Sequence, residues 1–317
     1  MFIPSIYCFV FIYLLSFVLV MGSDDWFLVW MGLEINMMSF LILIYRRSDL
    51  SIIESCLKYF FIQSIGSALL IGLFYLNESL LGNMFFVILS YKVGAGPFFF
   101  WFPSLCSGMM WVSCYVLMTF QSILPLLLMQ MFVHWVLWLI VVLSLIVGIL
   151  GSFNQCNMKQ LMAYSSIHHL GWIMLVMMID VGWFMYMLIY MLVLYSVVGF
   201  LVKEEVVDLS MMYYNKFKMF FVIGMLSMGG IPPLLGFYLK WMALVNILSN
   251  NMIYVMMLML VSVVMLYVYM RIVYDILFSE VGSIVVEMNF MLSDYNVEML
   301  SVMGIIVGVV GGIFMMI

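Results

Sequence analysis

The tightest constraint on this chain is its run of long apolar segments. From one end to the other, stretches of about twenty residues, nearly free of charge, follow one another with short polar breaks between them. A helix needs about 20 apolar residues to cross the hydrocarbon core of a bilayer. Within lipid the backbone groups must find partners inside the segment, which an uninterrupted apolar run does by coiling into a helix. Of the 317 residues, 68% are hydrophobic and 8% are charged. A soluble domain carries roughly a quarter charged residues, so a soluble fold is excluded.

Charges, Asn, Gly and Pro place the breaks. The spans expected are about 2–21, 26–45, 51–76, 82–102, 108–132, 135–153, 158–178, 181–202, 219–248, 252–278 and 298–316. The fold class is therefore an all-α polytopic membrane protein with about eleven transmembrane helices in a single membrane domain. The distribution of basic residues supports that count. With eleven spans, Arg46, Arg47, Lys159, Lys203, Lys216, Lys218 and Arg271 fall on or beside one membrane face, while Asp24, Asp25, Glu78 and Asp180 fall on the other. A miscounted helix would scramble this partition.

Other function classes drop out on composition. Ten basic residues scattered among apolar runs make no phosphate-tracking face, so nucleic acid is excluded as a partner. The five cysteines show no C-x-x-C spacing and read as small buried hydrophobes, so no metal or cluster site is expected. The first segment lacks a basic leader and a small-residue cleavage site, and no cleavable targeting segment is expected.

Three ionisable residues stand deep in the apolar segments: Glu34 near the centre of the second, Lys92 near the centre of the fourth, and Lys240 in the long ninth. A charge at mid-bilayer costs about 2.5–3.5 kcal/mol even on the lenient insertion scale, so each needs a reason. One reason is a structural ion pair; the other is a proton- or ion-carrying role. The choice of Lys over Arg bears on this, because Arg stays protonated whereas a desolvated Lys can release its proton. Lys58 has a candidate partner in Glu54 one helical turn away, and both readings stay open for it.

Two segments interrupt themselves. One reads Lys92-Val93-Gly94-Ala95-Gly96-Pro97, and the other reads Gly229-Gly230-Ile231-Pro232-Pro233 and then reaches Lys240. Proline removes a backbone donor and clashes one turn back, so both helices should break and leave carbonyls facing a polar space. Broken helices at corresponding positions of two halves point to inverted repeats. The lysines are 240 − 92 = 148 residues, or five spans, apart, which turns the second copy upside down. The repeats would cover about 1–132 and 133–278, with a terminal helix at about 298–316. In the seventh span, Tyr164 to Trp172 place Ser165, Ser166, His168 and His169 among apolar residues, as interhelical hydrogen bonds or as part of a proton path. Gly304, Gly308 and Gly312, four apart, permit close helix packing.

These runs carry a resemblance. Trp30-Met31-Gly32-Leu33-Glu34-Ile35-Asn36-Met37, Lys58-Tyr59-Phe60, the Lys92–Phe98 run with Trp101-Phe102-Pro103, Phe153-Asn154-Gln155, the Tyr164–Trp172 run, and Gly230-Ile231-Pro232-Pro233-Leu234 with Gly236-Phe237 and Lys240-Trp241 occur in one order over about 26–275. Together they resemble the mitochondrial NADH dehydrogenase subunit 2 family, antiporter-like membrane subunits of respiratory complex I (NADH:ubiquinone oxidoreductase). The 37 methionines fit a mitochondrial code that reads an extra AT-rich codon as Met. The resemblance implies inverted five-helix repeats, with animal members lacking three N-terminal helices of bacterial relatives. It implies an inner-mitochondrial-membrane subunit that moves protons as ubiquinone is reduced elsewhere in the complex. Glu34 would modulate Lys92, Lys240 would link onward, and His169 and Lys58 would support. Partners would be other complex I subunits, neighbouring antiporter-like subunits among them, and lipids such as cardiolipin. No cofactor is expected on this chain, flavin and iron–sulfur clusters belonging to other subunits.

The chain also departs from that pattern. Where the family usually has Thr-Trp-Gln-Lys, this sequence has Thr119-Phe120-Gln121-Ser122, so a bridging lysine is missing. Phe99 and Ser104 stand at places usually held by His and Glu. Two other readings remain: a stand-alone cation/proton antiporter of the same fold, and a scaffold subunit that no longer conducts.

Overall fold

The computed structural model describes residues 3–47, 49–74, 81–131, 136–179, 182–214, 218–232, 234–248 and 252–278. These form thirteen α-helices: α1 (Ile3–Gly22), α2 (Trp26–Ile44), α3 (Leu50–Phe74), α4 (Leu81–Val93), α5 (Trp101–Gly108), α6 (Trp111–Met118), α7 (Phe120–Gln130), α8 (Val136–Ser152), α9 (Met158–Ile179), α10 (Trp183–Lys203), α11 (Lys218–Gly229), α12 (Leu235–Leu248) and α13 (Met252–Phe278). Among the described residues the only β pairing is an isolated bridge between Asn157 and Asp208. The segment expected as an eleventh span, with Gly304, Gly308 and Gly312, lies outside the described residues, as do Glu78, Asp180 and Lys216.

Among the described residues, six stretches are long and apolar enough to cross a bilayer: Trp26–Ile44, Leu50–Phe74, Trp111–Gln130, Met158–Met178, Trp183–Lys203 and Val255–Phe278. A seventh is a helix bent by 89° between its halves, Gly82–Phe98 and Trp101–Gly108. Both segments expected to break do so. The fourth span ends at Val93, makes a 3-10 turn over Gly96–Phe98, and resumes as α5 to Gly108, beyond its expected end at 102. The ninth divides into α11 and α12.

The fifth span, expected as one helix over about 108–132, is also divided, with Thr119 between α6 and α7 at φ −118° and ψ −79°. Pro125 has no N–H to offer the Gln121 carbonyl, and the helix gives way just before that turn. The Thr119 hydroxyl donates to the Tyr115 carbonyl (2.6 Å) and the Ser122 hydroxyl to the Thr119 carbonyl (2.7 Å).

The chain forms two compact units, Met1–Val147 and Gly148–Ile317, with the division inside α8. In the first, α2 packs on α1 and α3, α3 on α4 and α5, and α4 on α7. Gly32 sets the approach of α2 to α1, since a Cβ there would stand 2.5 Å from Val20 Cγ2. In the second unit α10 contacts α9, α11 and α12, and α13 packs on α11 and α12. Of the α9 span 89% is buried, against 33% of the α3 and α13 spans, so α9 is the enclosed helix of its unit. Its Ser165, Ser166, His168 and His169 are accordingly all buried.

Candidate functional site

The first break builds the surroundings of Lys92. At the end of α4 the Gly94 and Ala95 amides both donate to the Ser90 carbonyl, at 2.9 and 3.0 Å. This is a left-handed helix cap, and Gly94 at φ +78° supplies the conformation that a side chain resists. Side chains take two more carbonyls: Gln63 Nε2 donates to Lys92 O (2.9 Å) and Trp101 Nε1 to Tyr91 O (3.2 Å). The Lys92 side chain lies along α3 where Gly66 leaves room, a Cβ at Gly66 falling 2.9 Å from Lys92 Cγ. Lys92 is buried, 6% exposed, and its ammonium forms no hydrogen bond or ion pair among the described residues. It lines a small cavity of about 30 Å³ with Asn36, Tyr59, Gln63, Gln121 and Ser122.

Glu34 is half-buried on α2 and lines an apolar groove beside Trp30, Phe9 and Ile12. Its carboxylate is within electrostatic reach of Lys92, yet the two are not within the 4.0 Å of an ion pair. The two form no ion pair in this structure.

The second break repeats the cap. The Gly230 and Ile231 amides converge on the Leu226 carbonyl, at 3.1 and 3.4 Å, and Gly230 has φ +79°. A side chain at Gly236 would overlap the Ser227 carbonyl, so α12 can fold back this closely only on glycine. Lys240, 6% exposed, crosses the break and donates from Nζ to the Gly229 carbonyl at 2.7 Å. The lysines differ in placement. Lys92 precedes its left-handed glycine by 94 − 92 = 2 residues, whereas Lys240 follows its own by 240 − 230 = 10. They sit on opposite halves of their broken helices.

Within the second unit, His169 is buried, with the rings of His168 and His169 5.9 Å apart and the Lys240 charge also acting on it. Its Nδ1 lies 3.4 Å from the Tyr186 hydroxyl, and its ring packs against Tyr190, tilted by 32° with centroids 4.9 Å apart. His168 is held otherwise: Trp172 Nε1 donates to its Nε2 at 3.2 Å. An indole N–H can only donate, so Nε2 of His168 carries no proton. Lys58 Nζ lies 2.6 Å from Glu54 Oε1, an ion pair on an exposed face of α3.

Three polar residues of the first unit escaped a reading that followed charge. Gln63, Asn36 and Gln121 are uncharged amides inside apolar helices, and that oddity was the available signal. The structure gathers them with Lys92 and Ser122 around one cavity.

Comparison with known proteins bears on this arrangement. The family model described as NADH:quinone oxidoreductase/Mrp antiporter, transmembrane, matches residues 23–79 and 72–266. NADH-ubiquinone oxidoreductase chain 2 of Anopheles gambiae is 37% identical over 276 residues, covering 80% of this chain and 81% of that one. The chain belongs to the NADH-ubiquinone oxidoreductase chain 2 branch of the NADH:quinone oxidoreductase/Mrp antiporter family. The fold of this antiporter-family member is also found in respiratory complex I of Thermus thermophilus, at TM-score 0.81 and 23% identity, covering 97% of this chain and 78% of that one. A chain of the Mrp complex from Dietzia sp. DQ12-45-1b gives TM-score 0.71 at 14% identity, covering 84% of this chain and 59% of the other. This antiporter-like subunit is a multi-pass membrane protein.

Proposed function

We propose that the chain is a membrane-arm subunit of NADH:ubiquinone oxidoreductase that moves protons across the inner mitochondrial membrane through buried ionisable groups, coupled to ubiquinone reduction elsewhere in the complex. Its partners are the other complex subunits, neighbouring antiporter-like subunits among them, and membrane lipids such as cardiolipin. The redox chemistry belongs to flavin and iron–sulfur clusters on those subunits. On this proposal the six long spans, the bent pair, α1, α8 and the α11–α12 pair are the crossings that the described residues supply. The matching caps at Gly94 and Gly230 favour two inverted repeats.

The observation that carries the reading is the state of Lys92. It is an ammonium buried beside a helix break, against a cavity, with Glu34 near enough to act on it and too far to pair with it. Moving the Glu34 charge alters how strongly Lys92 holds its proton. Transferring one charge against 100 mV takes about 2.3 kcal/mol, a scale such a buried interaction can meet. Lys240 offers the second exchanging group, positioned by the Gly229 carbonyl, and His169 stands within its field. Lys58, bound to Glu54, lies beside this path and not on it. The test is Lys92→Met in the assembled complex, with protons moved per NADH oxidised as the readout. A lowered ratio is expected; an unchanged ratio would remove Lys92 from the path.

A further inference from the structure

The cavity beside Lys92 has a composition that the missing family lysine makes informative. It offers about 30 Å³, where roughly 10–15 Å³ is enough for one water molecule, so two fit. A buried water needs two to four polar partners. The walls supply donors and acceptors. The Lys92 ammonium has no partner among the described residues, and Gln121 Nε2 is buried without one. Gln63 commits its amino end to the Lys92 carbonyl, since that carbonyl can only accept, and this leaves Oε1 accepting no bond among the described residues. The Ser122 hydroxyl donates to the Thr119 carbonyl, so its oxygen can still accept. Dry, this site would strand an ammonium and an amide, a large penalty in a low-dielectric interior.

We propose that the cavity binds a pair of water molecules held by Gln63, Gln121 and Ser122, and that these waters solvate Lys92 and take its proton first, in place of the lysine absent at position 122. This rests on the proton-carrying role proposed above. In the step, an Nζ–H bond of Lys92 breaks and an O–H bond forms on the adjacent water. The positive charge moves with the proton, and Lys92 is left as a neutral amine. Gln63 Oε1 and Ser122 Oγ accept from the charged water, and no atom is oxidised or reduced. The reverse step reloads the lysine. Gln63 and Ser122 are positioning residues acting through water. The same interruption at Thr119 that divides α6 from α7 presents Ser122 to the cavity.

The test compares Ser122→Thr with Ser122→Val in the assembled complex. The two side chains are nearly equal in volume and differ in the hydroxyl. With Thr the protons moved per NADH oxidised stay at the native value; with Val they fall by as much as in Lys92→Met. If Thr and Val behave alike, whether both retain or both lose the ratio, the water site is overturned. If Lys92→Met itself retains the native ratio, the proton-carrying role fails first; if Lys92→Met loses it and Val does not, only the water site fails. Should the Val complex not assemble, ordered-water density in the native complex decides. One or two peaks within hydrogen-bond reach of Lys92 Nζ and Gln121 are expected, and a dry cavity overturns the proposal.

Discussion

The Lys240 ammonium donates to the Gly229 carbonyl at 2.7 Å, joining the first turns of α12 to the last carbonyl of α11 across the break between them. The bond occupies the last carbonyl of α11, beyond the two that the Gly230 and Ile231 amides meet, and the positive charge there suits the negative end of the helix dipole. Lys240→Met leaves that carbonyl buried and unmet. A bond from a charged group contributes about 1.5–3 kcal/mol, so the substituted complex should dissociate at a lower temperature as well as lose pumping. Lys240→Arg keeps a donor and should recover part of the stability without recovering the pumping. Thermal dissociation and the proton-to-NADH ratio, measured side by side, separate the two effects.

Gly230 is a second point of sensitivity. At φ +79°, an L side chain is strained by about 1–2 kcal/mol. An added Cβ would also stand 3.1 Å from Lys240 Cδ and 3.2 Å from Nζ. Gly230→Ala is therefore expected to move the ammonium off the Gly229 carbonyl and to reduce assembly and pumping together. Gly22→Ala, at a glycine with no atom near its Cβ position, serves as the control and should change neither. Quantifying assembled complex by native gel checks both.

His168 and His169 should part company. Trp172→Phe removes the donor to His168 Nε2, worth about 0.5–1.5 kcal/mol, and is expected to lower stability slightly while the proton-to-NADH ratio holds. His169→Leu should lower that ratio, because His169 is the ring under the field of Lys240. A ratio that fell with Trp172→Phe instead would put His168 on the path.

Much of this was legible in the sequence, and the reasons are specific. Apolar runs become helices because lipid leaves the backbone no other partners, so α2, α3, α9 and α10 begin and end within a few residues of expectation. Gly94-Ala95-Gly96-Pro97 and Gly229–Pro233 announce their breaks through local chemistry alone. The break at Thr119 was hidden, because its cause, Pro125, lies six residues further along the chain. Which half of a broken helix bears the lysine could be counted from the sequence, but not which carbonyl the lysine meets. That depends on α12 folding back onto Gly229, a contact set by Gly236 against Ser227. Gln63 and Gln121 were passed over because an uncharged amide is far cheaper to bury than a charge, so it stands out less.

The Lys58–Glu54 pair makes an opposing expectation. Both side chains are largely exposed, at 46% and 67%, and they neutralise each other one turn apart on α3. Replacing both with Gln should leave pumping and assembly unchanged. A loss of pumping in that double variant would place Lys58 back on the path.

The central claim is that Lys92 gives up and regains its proton during turnover, and Lys92→Arg tests it most directly. A guanidinium preserves the positive charge but does not release its proton under ordinary conditions. Protons moved per NADH oxidised, measured in the assembled complex, should fall as far with Arg as with Met. A native ratio with Arg would contradict the exchange, leaving Lys92 as a fixed positive charge at the α4 break.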